Sequence, residues 1–163
     1  LSIVFQNPNH QIFERTVWKE QNLTADILGN PDAESHQRAT ELLELAGLAT
    51  MKERNPFTLS HGQKRRLNVS SVSVHSPDII LFDEPFIGQD LDGRRFIMKI
   101  LAEAAQAGGA SLVVTHDTNF AKKHCNRVIF MENGSILLDG PPEMVFRRLK
   151  ETNRAEFVSL GAE

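Results

Sequence analysis

The chain has 163 residues, 40% hydrophobic and 24% charged, an ordinary globular balance with enough apolar material for one core. Its net charge of −3 gives no argument for a nucleic-acid partner or an anionic membrane surface, and one cysteine, Cys125, excludes an internal disulfide framework and suits a reducing cytosol. With no run of ~18 apolar residues and no charged-apolar-small leader, neither a membrane span nor a signal peptide is expected.

Residues 1–30 read as a strand followed by a loop. Leu1 to Phe5 is a short β-like run closed by the turn signal Gln6-Asn7-Pro8, and a chain that opens inside a strand without Met reads as a piece of something longer. From Pro31-Asp32 onward, Ala39, Leu42, Leu43 and Ala46 fall at i, i+3, i+4 and i+7, which predicts a helix with one apolar stripe. Gly47 suits its C-terminal stop, and Asn55-Pro56 marks a break before the next segment.

The stretch LSHGQKRRLNVSSVSVHSPDIILFDEPFIGQDLD, residues 59–92, is the richest in signals. Ser60 is a good N-cap, and Gln63 stands where a capping box wants Glu or Gln. A helix opening on Ser60, His61 and Gly62 turns free N–H groups and a positive dipole end outward, and Gly62 would let an anion approach the backbone closely. Pro77 should stop that helix near His75. Ile79 to Phe82 then reads as a strand buried on both faces, delivering Asp83 and Glu84 at the carboxyl end, where open α/β sheets bind ligands.

Phe96, Ile97, Ile100, Leu101 and Ala104 predict another amphipathic helix over 92–109, ended by Gly108-Gly109. Ala110 to Thr115 is a second buried-strand pattern with His116 and Asp117 at its end, and a short helix follows to about His124. His124 and Cys125 lack a second ligand pair at metal-binding spacing and read as helix-end residues. Asn133-Gly134 between two apolar runs predicts a β-hairpin, and a last helix runs from Glu143 to about Lys150.

LSHGQ at 59–63, the strand ending in Asp83-Glu84, and Gly88-Gln89-Asp90, in that order and spacing, resemble the signature motif, Walker B strand and D-loop of ABC transporter nucleotide-binding subunits. Gln6 matches the Q-loop and His116 the H-loop. QNPNHQIF followed by TVWKE, with Gln11, Val17, Trp18 and Glu20, is similar to energy-coupling factor and cobalt-type importers, although Trp18 reads equally well as a packing aromatic. The resemblance implies a P-loop NTPase-like α/β fold of three layers, with a parallel central sheet and a helical subdomain over about 14–75. The 163 residues would be one partial domain with its N-terminal portion missing.

It also implies ATP and Mg²⁺ as cofactors. Asp83 and Gln6 would attend the metal, Glu84 would activate the attacking water, and His116 would contact the γ-phosphate. Ser60, Gly62 and Gln63 would cap a nucleotide held by a second ATPase subunit, with Asp90 linking the two sites. The expected setting is the cytoplasmic face of a membrane, beside a transmembrane subunit passing a metal ion or vitamin.

His61, Phe86 and Ser71 depart from the residues usual at their positions, which are Gly, Thr or Ser, and Arg. A larger departure is that no G-x-x-x-x-G-K-[ST] occurs in the sequence. A non-catalytic interaction fragment and a repair or chromosome-maintenance ATPase are the competing readings. The short helical insert and the acidic balance argue against the latter.

Overall fold

The architecture is given by a computed structural model that describes residues 1–29, 32–152, 154 and 156–159; Pro31, expected at a helix start, lies outside them. The described chain divides into two compact units, Leu1–Val114 and Thr115–Glu163.

In the first unit, the short apolar runs form a parallel sheet of β1 (Ser2–Val4), β2 (Ile79–Asp83) and β3 (Ala110–Val114), in that order. Val4 stands opposite Phe82, and Asp83 opposite Val114. The parallel sheet that the resemblance implies is therefore observed for these strands. The expected burial of β2 and β3 on both faces is not. Val4, Ile80 and Phe82 line a buried face, whereas Ile79, Leu112 and Val114 on the other are 46%, 50% and 51% exposed. Alternation along each strand sends successive side chains to opposite faces, and only one face of this unit's sheet is sealed.

Between β1 and β2 lies the helical stretch. The loop expected up to residue 30 instead contains helix α1 (Val17–Ile27), capped by Thr16 Oγ1 accepting from Lys19 N at 3.2 Å. It buries Val17, Glu20, Gln21, Asn22 and Ala25, so its inward face is mostly polar and leaves no apolar period to detect. Helix α2 (Ala33–Leu45) follows expectation: Asp32 accepts from Ser35 N at 2.8 Å, and Ala39, Leu42, Leu43 and Ala46 are at most 1% exposed. Gly47 takes a φ of +70°, the left-handed stop that glycine adopts without a Cβ penalty. Trp18 stacks on His36 at 6.0 Å, with Lys52 Nζ 4.5 Å from its ring, and so ties α1 to α2 and the turn beyond.

Helix α3 (His61–Ser73) ends, as expected, before Pro77 and packs against α1, α2 and β1. Helix α4 (Leu91–Gln106) buries Phe96, Ile97 and Ile100 and packs on α3 and β3.

In the second unit, Asp117 caps α5 (Thr118–His124), accepting from Phe120 N at 2.9 Å. His124 stacks on Phe120 at 5.6 Å, and burial pushes the Cys125 thiol up from its ordinary pKa. The hairpin β4 (Val128–Glu132) and β5 (Ser135–Gly140) turns at Asn133 and Gly134, both with positive φ. Helix α6 (Pro142–Glu151) buries Val145, Phe146 and Leu149 against Phe130, Leu138 and Val158, the last of these from α7 (Glu156–Ser159).

Glu20 explains part of why the chain enters α1 as it does. It is 2% exposed, and its Oε2 accepts from Phe13 N and Glu14 N, each at 2.8 Å. Burial raises its carboxyl above the ordinary 4.5, against the lowering effect of those two bonds. A raised folded pKa means that this group's contribution is full below the unfolded value and is lost as pH climbs through the folded one. Glu20→Gln, which keeps an acceptor without the charge, should match the native chain near pH 4 and exceed its thermal stability at pH 8. Glu20→Ala should cost at least about 2 kcal/mol, since two N–H groups lose their acceptor at roughly 1–3 kcal/mol each. Urea midpoints of both variants across pH 4–8 check this.

Candidate active site

The first turns of α3 carry most of the site. Ser60 Oγ accepts from Gln63 N at 3.2 Å, and Gln63 Oε1 accepts from Ser60 N at 2.9 Å, a complete capping box. With that turn fixed, the N–H groups of His61 and Gly62 remain without an intrahelical carbonyl, and the dipole's positive end adds to them. Ser60 and His61 are exposed, while Gly62 and Gln63 are half-buried.

Gly62 has a packing reason to be glycine. A Cβ there would meet the Gly88 carbonyl oxygen at 2.9 Å, and the Gly62 carbonyl itself accepts from Gln89 Nε2 at 3.3 Å. Beside it, Asp90 caps α4, its Oδ1 accepting from Gly93 N at 2.7 Å and facing Arg66 Nη1 at 3.4 Å. The structure thus brings Ser60, Gly62, Gln63 and Asp90 into one patch.

A second group forms around Arg65, which is 1% exposed. Its Nη1 donates to the carbonyls of Asp83 at 3.2 Å and Glu84 at 2.9 Å, and its Nη2 donates to the carbonyl of Gln6. Burial pushes the guanidinium pKa down, and the charges of Asp83 and Glu84 pull it back up. The half-buried carboxylates of Asp83 and Glu84 follow at the end of β2. Glu84 has a φ of +48°, a left-handed conformation that costs a non-glycine residue on the order of 1–3 kcal/mol and persists only where its surroundings over-determine it. Those surroundings include Glu84 N donating to Val114 O at 2.9 Å.

Gln6 is exposed and opens a loop that α3 holds along its length: Asn68 Nδ2 donates to Pro8 O at 2.8 Å, and Lys64 Nζ to Asn9 Oδ1 at 2.9 Å. Gln11 folds back, accepting from Phe5 N at 2.8 Å and donating to Ile3 O at 2.7 Å. His116 belongs to the second unit; it is exposed and lies between Thr115 and Asp117, whose N–H donates to Thr115 Oγ1 at 3.0 Å.

Arg65 and Asn68 are absent from the sequence-based site, and Gln89 enters it only as the middle of the Gly88-Gln89-Asp90 match. In one sequence Arg65 looks like one of a run of solvated cations, Lys64-Arg65-Arg66. The only pointer to its burial is the small-residue run Ser70, Ser71 and Ser73 downstream, which lets neighbours close in on the helix.

The departures at other positions have local partners. Phe86 is 6% exposed, with Arg94 Cζ 4.9 Å over its ring, and Ser71 Oγ donates to Glu20 O at 2.8 Å.

The profile of the ABC transporter family matches residues 1–87. The energy-coupling factor transporter ATP-binding protein EcfA2 of Halalkalibacterium halodurans is 37% identical over 165 residues, covering 100% of this chain and 57% of that protein. EcfA2 of Bacillus subtilis is 36% identical over 153 residues, covering 93% of this chain and 55% of that protein. The chain therefore spans about half the length of these curated relatives. Among solved structures, cbiO1 from Clostridium perfringens, described as part of the ABC transporter complex cbiONQ, superposes with a TM-score of 0.73 at 32% identity, covering 98% of this chain and 63% of that one. A dimeric ATP-binding cassette in a post-hydrolysis state bound to ADP and Pi gives a TM-score of 0.74 at 29% identity, covering 86% and 62%.

The Gly62–Gly88 approach is open to test. Gly62→Ala gains up to about 1 kcal/mol of helix propensity but forces a backbone carbonyl aside at roughly 1–3 kcal/mol. We expect net destabilisation and a displaced 88–90 loop, read as a lowered urea midpoint and shifted amide resonances of Gly88 and Gln89. An unchanged midpoint would mean that the loop yields freely.

Proposed function

We propose, since the chain belongs to the ABC transporter family, that the protein carrying it binds ATP with Mg²⁺ and hydrolyses it to drive a small solute, a metal ion or vitamin, through a membrane partner. The observation that carries this reading is Glu84: a strained carboxylate residue at the carboxyl end of β2, its backbone anchored to the helix whose first turn is LSHGQ. Phosphoryl transfer to water needs positioning, charge neutralisation and an oriented nucleophile. In our reading Glu84 orients and deprotonates the water, and His116 stabilises the γ-phosphate.

The donor set fits Mg²⁺. That ion takes one or two protein carboxylates and completes its shell with phosphate and water, which suits Asp83 with Gln6 nearby and needs no larger cluster. Among the described residues no group of three or more His, Cys, Asp or Glu forms a cage. Ser60, Gly62 and Gln63 would present N–H and hydroxyl donors to the γ-phosphate of ATP held by a second ATPase subunit, with Asp90 at the junction. The dimeric cassette among the structural neighbours supports this arrangement.

A transmembrane subunit is the proposed second partner, supported by the transporter complex to which the neighbour cbiO1 is assigned. No helix among the described residues is long and apolar enough to cross a membrane. In our reading the protein sits at the cytoplasmic face of the membrane, peripherally, against that transmembrane subunit. We read both units as parts of one nucleotide-binding domain, with residues of about 14–75 as its helical subdomain, and we assign no nucleic-acid partner.

Glu84→Gln in the full-length protein keeps the side chain's shape and removes the base. General-base catalysis is typically worth 10²–10⁴-fold, so ATPase turnover should fall by about that factor while MgATP binding persists. Steady-state hydrolysis and equilibrium binding measured side by side decide it; a variant turning over at the normal rate rejects the assignment.

Residues 1–163 alone should bind MgATP no better than millimolar. A phosphate-binding loop supplies several charge-assisted hydrogen bonds at roughly 1.5–3 kcal/mol each, and this sequence contains no such loop. Losing three of them removes more than half of the about 8 kcal/mol that a micromolar site has. Isothermal titration of monodisperse protein with MgATP checks this, and stoichiometric micromolar binding would contradict it.

A further inference from the structure

The side chain of Arg65 lies within the first unit, 1% exposed, and gathers backbone carbonyls from two segments far apart in sequence. Asp83 and Glu84 belong to the end of β2, and Gln6 to the loop after β1. One guanidinium therefore fixes both loops to α3, the helix that also presents Ser60 to Gln63. Glu84 is the residue with most to lose, because its φ of +48° is a conformation that the chain alone would relax. Its N–H is held by Val114 O, and its carbonyl is held by Arg65 Nη1. The planar fork matters: two nitrogens held rigidly in one plane serve carbonyls on different segments, whereas a lysine brings one nitrogen on a flexible stem.

We infer that Arg65 is a positioning residue that holds the Glu84 backbone in its strained conformation and couples it to the backbone of Gln6, an inference that rests on the ATPase reading for its kinetic consequence alone. A displacement of the Gln6 loop would then pull on the same guanidinium that fixes Glu84. Turnover would depend on where that loop sits through the Gln6 carbonyl, separately from anything the Gln6 side chain does.

The test uses the full-length protein with Arg65→Gln and Arg65→Lys, and reads kcat, KM for MgATP, and hydrogen exchange at the bonded amides of Phe5, His10, Glu84 and Ile87. For Arg65→Gln we expect kcat to fall at least tenfold with KM moving less than threefold, and Arg65→Lys to recover part of the loss. Exchange should accelerate at those four amides while amides in the second half of α3 keep their protection. A kcat within twofold of native, or acceleration spread evenly through α3, would overturn the inference. If Arg65→Gln does not fold, Arg65→Lys decides: a threefold or greater loss of kcat with the local exchange pattern supports the inference, and native kcat and exchange overturn it. If the native protein hydrolyses no ATP, the functional reading fails by itself. Arg65 is then judged on exchange alone, with acceleration confined to the two loops supporting it and uniform or absent acceleration refuting it.

Discussion

A helix enclosed on nearly every side must find partners for its polar side chains, and α3 is such a helix. It buries Arg65, Leu67, Asn68, Val69, Ser70, Ser71 and Ser73, so burial is spread around it and includes a full charge. Leaving a buried donor unsatisfied costs about 1–3 kcal/mol, more when it is charged. Surrounding segments offer backbone carbonyls to part of these groups: Gln6 and Pro8 from one side, Asp83 and Glu84 from another, and Glu20 of α1 from a third, while Arg65 Nε, Asn68 Oδ1 and Ser70 Oγ have no partner among the described residues.

The same constraint explains how short strands hold a site. β1 has three residues and β2 five, too few for the sheet alone to fix the loops that leave them. Those loops are ordered by side chains of α3: Arg65, Asn68 and Lys64, on one face with Asn68 at i+3 from Arg65 and i+4 from Lys64, meet Gln6, Pro8 and Asn9 of the loop after β1. At the helix start, Gly62 lets the 88–90 loop approach to within backbone contact, and Asp90 leaves that loop as the cap of α4. Strands, loops and both helix starts thus form one interlocked body within the first unit.

Where sequence signals were local, they were legible. The capping box at Ser60, the stripe from Ala39 to Ala46, the stop at Gly47 and the Asn133-Gly134 turn each depend on residues within a few positions of one another. Helix α1 escaped because its buried face is Glu20, Gln21 and Asn22, residues whose burial depends on partners elsewhere, such as the 13–14 amides. The two-faced burial expected of β2 rested on an unbroken apolar run, which cannot tell a sealed face from an open one. In the candidate site, Ser60, Gly62, Gln63 and Asp90, singled out by type and order, lie in one patch, and Asp83 and Glu84 lie at the end of β2. Arg65 was not singled out, because its partners are main-chain atoms 18, 19 and 59 positions away.

The charges nearest the site are already committed. Arg65 is buried and serves three carbonyls, Lys64 donates to Asn9, and Arg66 faces Asp90. At the end of β2 stand the half-buried side chains of Asp83 and Glu84, and two carboxylates repel a phosphate. At the start of α3, by contrast, the donors are N–H groups and a hydroxyl, which welcome one. The two patches therefore differ in sign: the start of α3 offers donors to an anion, and the end of β2 repels one. Such electrostatic work depends on dipoles fixed before the substrate arrives. Here the fixing is done by one helix, capped at Ser60 and anchored through Arg65 to the end of β2.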